Sequence, residues 1–182
     1  HLEKIVQYNV QSSEKEKFDG VMLDIEPYIS DSWKENPEEY MDRYISCMKK
    51  GYKFAQKNHL RTAICIPRHY DNQGLTSGLE ELIKETCDEV AVMNYSCGNE
   101  IEAIRTEAAL SEKYGKELHC ILEFQEVGKH GLTENKTYRN KGIDNAKETW
   151  EKLQKEYKNI NVTRDYHWSR PVREMLEEKN AD

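Results

Sequence analysis

The chain has 182 residues, of which 34% are charged and 37% apolar, and its formal net charge is -7. That length suits one domain with a real hydrophobic core, and the clustering of the apolar residues excludes a disordered chain. The acidic balance excludes a nucleic-acid backbone or an anionic membrane as the main partner, since both reward excess Lys and Arg. No apolar run approaches the roughly 20 residues of a membrane-spanning helix, and His1-Leu2-Glu3-Lys4 lacks the apolar stretch of a secretion signal. Five cysteines, Cys47, Cys65, Cys87, Cys97 and Cys120, lack the close spacing of a zinc or redox site and read as free packing residues.

Residues 1–17, rich in Glu, Lys and Gln, predict a helix leading into a first strand, Gly20 to Ile25. Asn36, Pro37 and Glu39 mark the start of the next helix, which runs through Tyr44, Cys47, Met48, Tyr52 and Ala55 at helical spacing. A strand over Arg61 to Pro67 follows. Ser77 and Glu80 have capping-box spacing and predict a helix ending near Cys87. After a strand over Glu89 to Tyr95, Asn99 caps a helix that runs to Tyr114 and stops at Gly115. The strand Glu117 to Phe124 leads into a stretch from Gln125 to Asn140 that is long for a βα connection and suits a substrate-covering loop or a surface excursion. A helix over about Asn140 to Tyr157, a strand over Ile160 to Tyr166 and a last helix after Pro171 complete the chain.

This alternation is the mark of βαβ units and a parallel α/β sheet. Residues 1–182 read as a single domain. Five strands with their helices match the unit size of a (β/α)8 TIM barrel, which takes about 250 residues, so some strands would lie upstream. A complete, open, doubly wound sheet of five strands is the rival architecture.

Side chains alternate along a strand, so Val21, Leu23 and Ile25 share one face while Met22, Asp24 and Glu26 share the other. Two carboxylates then project together at the C-terminal end of a strand, where barrel active sites are built, and raising the pKa of one such group makes a general acid. The alternative is that both pair with Arg or Lys, or cap the turn at Pro27. By the same alternation Glu123 joins His119 and Gln125 on one face of its strand. It is either a second catalytic carboxylate or a partner for Arg68 or Arg164.

The run Asp19-Gly20-Val21-Met22-Leu23-Asp24-Ile25-Glu26 resembles the DGxDxDxE signature on the fourth strand of chitinase-family glycoside hydrolases. On that pattern the five strands become strands four to eight of a (β/α)8 barrel. The resemblance implies that Glu26 is the general acid and that Asp24 orients the substrate's acetamido group, whose oxygen serves as nucleophile. Met93-Asn94-Tyr95 stands where the family has a Met-x-Tyr motif on its sixth strand, and Trp168 where the eighth strand gives a Trp to the sugar floor. Met22 departs from the middle Asp of the signature, and Ile25 from the aromatic residue many members carry. The chain is closer still to a loosely defined group of bacterial glycosidase-like proteins, in which a segment like Leu23-Asp24-Ile25-Glu26-Pro27-Tyr28 precedes a Tyr-bearing sixth strand and a Glu-bearing seventh. An extracellular or cell-surface setting follows from the family, not from the residues.

The implied function is hydrolysis of a β-linked polysaccharide, N-acetylated or not, with Glu26, Asp24 and Tyr95 at the reaction. The implied sugar-binding rim comprises Tyr28, Trp33, His69, Asn94, His167 and Trp168. A carbohydrate is the expected partner, and no metal or organic cofactor is needed. Three other readings are open: a retaining glycosidase with Glu26 as acid/base and Glu123 as nucleophile, an inactive barrel that binds carbohydrate or a protein, and an open sheet whose carboxylates hold a cation.

Overall fold

The computed structural model describes residues 1–179. Strands β1 (Gly20–Asp24), β2 (Arg61–Pro67), β3 (Glu89–Met93), β4 (Glu117–Glu123) and β5 (Val162–His167) form one five-stranded sheet in that order. All five run parallel. They alternate with helices α1 (Leu2–Gln11), α2 (Asp31–Glu35), α3 (Pro37–Lys57), α4 (Thr76–Thr86), α5 (Glu100–Ala103), α6 (Arg105–Tyr114), α7 (Gly142–Glu156) and α8 (Ser169–Lys179). The chain divides into two compact units, His1–Val90 and a second that begins at Ala91, with the boundary inside β3. Among the described residues no helix is long and apolar enough to cross a membrane.

In the first unit α1 ends at Gln11, short of the predicted 17 residues, because the Asn9 amide turns the chain back. Its Oδ1 accepts from Phe18 N at 2.9 Å and its Nδ2 donates to Phe18 O at 2.7 Å. Asn36 caps α3 as the sequence predicts, its Oδ1 accepting from Glu39 N at 3.3 Å. Strand β1 pairs with β2 from Gly20 opposite Arg61 to Asp24 opposite Cys65. A Cβ on Gly20 would lie 3.0 Å from Arg61 O, so a side chain there would crowd the neighbouring strand. Strand β2 is buried on both faces from Thr62 to Pro67, the pattern of an interior parallel strand. Asp88 ties its start to the helical layer: Oδ2 accepts from Thr62 N at 2.8 Å, and Oδ1 from the Tyr52 hydroxyl at 2.7 Å.

The core of this unit is Met41, Tyr44, Ile45 and Met48 of α3 with Leu79, Leu82 and Ile83 of α4. Helix α4 corrects the predicted cap. It starts at Thr76, and Leu75, not Ser77, stands at the cap position without a side-chain bond. Gly78 in its first turn packs closely on α3, where an added Cβ would sit 2.6 Å from Met41 Cγ and 3.6 Å from Ile45 Cδ1. Gly78→Ala should therefore destabilise the chain by about 1–3 kcal/mol through overpacking, against the usual gain from replacing a helical glycine. Urea unfolding of the pair checks this, and a more stable variant would contradict it.

In the second unit β4 pairs with β5 from Leu118 opposite Val162 to Glu123 opposite His167. Leu118, Cys120, Leu122 and Phe124 are wholly buried, and Trp150 of α7 donates its indole N–H to Cys120 O at 3.0 Å. The predicted helix from Asn99 to Tyr114 is two helices, broken where Ile104 leaves helical geometry to become fully buried. Gly115 ends α6 at φ 62, the left-handed cap that favours glycine. Strand β5 begins at Val162, two residues after the predicted Ile160, because the Gln154 amide holds the turn before it. That amide donates to Ile160 O and accepts from Val162 N, both at 3.0 Å. Helix α8 begins at Ser169, so Pro171 lies in its first turn, where a missing N–H costs nothing.

Candidate functional site

Asp24 closes β1 and is exposed, while Glu26 is half-buried just beyond the strand, where a 3-10 turn over Pro27–Ile29 begins. The expected face alternation holds in exposure from Val21 to Asp24, with Met22 and Asp24 open and Val21 and Leu23 half-buried, and is lost beyond the strand, where Ile25 is 44% exposed and Glu26 half-buried. The pair is thus less buried than the sequence suggests. Tyr28 folds back over the turn and donates its hydroxyl to Glu26 Oε1. Burial, with the Glu26 hydrogen bond and charge behind it, pushes the Tyr28 phenol well above its ordinary range, so it remains a donor.

Aromatic rings fix Tyr28 in place. His69 meets it edge-on at 5.2 Å and Tyr70 at 6.1 Å. Burial, then the charge of Arg68, lowers the His69 pKa, which favours a neutral imidazole. Trp33, predicted on the rim, is only 3% exposed and packs on Tyr70 at 5.6 Å. It supports the site from behind. Sequence reasoning passed over the polar ends of Tyr44 and Tyr70. Both rings are buried, and neither hydroxyl has a hydrogen-bond partner among the described residues. Burial is the largest influence on both phenols, and Asp24 acts on Tyr44 and Glu26 on Tyr70 in the same upward direction. Two buried donors thus stand within electrostatic reach of the two carboxylates.

In the second unit Glu123 is 2% exposed and its carboxylate is fully engaged. Oε1 accepts from Phe124 N and Gln125 N, each at 2.8 Å. Oε2 accepts from Gln125 Nε2 at 3.2 Å and stands 2.9 Å from His167 Nδ1. Burial raises the Glu123 pKa, but the His167 and Gln125 hydrogen bonds outweigh it and hold the carboxyl below its ordinary range. The expected partners Arg68 and Arg164 are replaced by His167, because the β4–β5 register sets Glu123 opposite it. Arg164 instead lies 4.0 Å from Glu151. The same register makes a second pair that the sequence did not reveal, His119 Nδ1 with Asp165 Oδ2 at 2.8 Å.

Tyr95 stacks on His167 at 6.1 Å, and Trp168, joined to it by a cis peptide bond, is 44% exposed. Asn94 is wholly buried, and its amide donates to Glu100 O at 2.9 Å, so it braces the loop after β3 rather than facing solvent. The Gln125 to Asn140 stretch is anchored at its return limb. Thr137 donates to Gln125 O at 2.6 Å, and Tyr138 N to Glu123 O at 2.7 Å.

The first unit therefore offers a carboxyl group held by a phenol for proton transfer, and the second an imidazole oriented by a buried carboxylate beside aromatic surface. Among the described residues no group of three or more His, Cys, Asp or Glu side chains is placed to hold a metal ion. Compared with protein-family models, curated proteins and solved structures, the chain finds no match in any of the three.

Proposed function

We propose that the chain is a glycoside hydrolase carrying strands four to eight of a (β/α)8 barrel. Its substrate is a β-linked polysaccharide with N-acetylated sugars, its general acid Glu26, and its substrate-orienting group Asp24. The observation that carries this reading is the pair itself: two carboxylates at the C-terminal end of β1, with the Tyr28 hydroxyl fixing one oxygen of Glu26. In support of the barrel, strand order follows chain order without a reversal. Right-handed crossovers in such a sheet place successive helices on one side, whereas a doubly wound sheet needs a switch in order.

In the proposed reaction Glu26 gives its proton to the glycosidic oxygen as the bond from that oxygen to the anomeric carbon breaks. The substrate's acetamido oxygen, aligned by Asp24, forms the new bond to that carbon. Water then opens the cyclic intermediate and returns a proton to Glu26. In the first unit Tyr28 and His69 are only partly buried and offer surface for sugar beside Glu26, while Trp33 is buried and serves the scaffold; within the second unit Tyr95, His167 and Trp168 are likewise partly open and Asn94 is buried. Glu123 is not assigned the nucleophile's role, because its four acceptor directions are already taken.

The test is a matched pair of nitrophenyl β-glycosides, one of N-acetylglucosamine and one of glucose. Cleavage confined to the N-acetylated member is expected. Equal cleavage of both would end substrate assistance, and saturable oligosaccharide binding without any cleavage would convert the reading to a binding barrel.

A further inference from the structure

Glu100 of α5 is a buried acidic residue, only 8% exposed. Oε1 is satisfied twice, by Gly98 N at 2.8 Å and by the Tyr138 hydroxyl. Tyr138 is itself 2% exposed and is locked by Thr149 Oγ1 at 2.8 Å. Oε2 accepts no hydrogen bond from the described residues. Glu100 lines a cavity of about 530 Å³ that lies wholly within the second unit, together with Tyr138, Thr149, Asn99, Asn145 and Lys141 among others. That volume is in the range of small-molecule sites.

A carboxylate taken this far out of water is costly unless it is paired with a cation or fully hydrogen-bonded. Glu100 has half of that compensation, and no ion pair joins it among the described residues. Of the other acids on the cavity wall, Glu102 is already engaged by Arg105. Asn99 flanks α5 without giving its side chain to the helix end, which leaves its amide for a ligand, as Asn145 does from the exposed side of α7. We infer that this cavity is a binding site for a small polyhydroxylated ligand bearing a primary ammonium, which Glu100 Oε2 receives while the Asn99 and Asn145 amides take its hydroxyls. Tyr138 and Gly98 N are the positioning groups that aim the carboxylate. The site is independent of the Glu26 reading and survives its failure.

Glucosamine and glucose make the test, since they differ only in the ammonium. Titrated into the whole isotopically labelled chain at neutral pH, glucosamine should give saturable NMR shifts at Tyr138 and Thr149. Glucose should bind at least tenfold more weakly, and Glu100→Gln should abolish the difference. Of the two ammonium groups on the cavity wall, that of Lys152 stands 3.9 Å from Glu148, which leaves the Lys141 ammonium as the rival occupant of Oε2. Lys141→Gln should leave thermal stability unchanged and tighten glucosamine if the ligand is the partner. A large drop in stability with no glucosamine binding would assign Lys141 and overturn the inference, as would equal binding of the two sugars or no saturable shift with either.

Discussion

Glu26→Gln lowers turnover of a cleaved β-glycoside about 10²–10⁴-fold, the span expected when a positioned general acid is lost. The amide is nearly isosteric, and its oxygen can still accept from the Tyr28 hydroxyl. Folding should therefore be intact and the melting temperature within a few degrees of the parent. Tyr28→Phe is the companion variant. It frees Glu26 from the Tyr28 hydroxyl and should cost roughly three- to tenfold in rate, the worth of one hydrogen bond. Full activity in the Gln variant would remove Glu26 from the mechanism, whatever the substrate proves to be.

Glu123→Ala has the largest expected effect on stability. The substitution strands Gln125 N, leaves Phe124 N with His167 O alone at 3.1 Å, removes the anchor of the His167 ring and empties a buried position. A loss of about 3–5 kcal/mol is expected in denaturant unfolding. Glu123→Gln fills the space but must turn an N–H toward donors, so it should fall between parent and Ala. The contribution has a defined pH dependence. Because the native carboxyl sits below its ordinary range, it stabilises the fold fully above the unfolded value of about 4.3 and loses that effect as pH falls through the native one. The gap in stability between parent and Gln variant should thus be constant near pH 7 and narrow on acidification. A gap that widened in acid would contradict the hydrogen-bonded arrangement.

The strand–helix alternation was legible because each unit announces itself locally. The run Arg61 to Pro67 is apolar, β-branched and bounded, and it forms β2 with those limits. Boundaries failed where a distant or buried side chain decided them, as with Ile104 in the interior and Gln154 before Val162. The same division runs through the candidate site. Face alternation brought Asp24 and Glu26 into view from spacing alone. The Glu123–His167 and His119–Asp165 pairs depend on the register of two strands, which no single segment encodes. Trp33 and Asn94 looked like rim residues by position after a strand, and only packing shows that one backs Tyr70 and the other braces Glu100.

The unreversed strand order also has a kinetic meaning. Every strand pairs with its neighbour in the chain, with Gly20 opposite Arg61 in one pairing and Leu118 opposite Val162 in another, so each loop that must close is a single strand-to-strand connection. Closure entropy grows only with the logarithm of loop length. Each β-α-β step can then be completed on the edge left by the one before, and the chain can add structure in the direction of its synthesis without waiting for a distant strand to return.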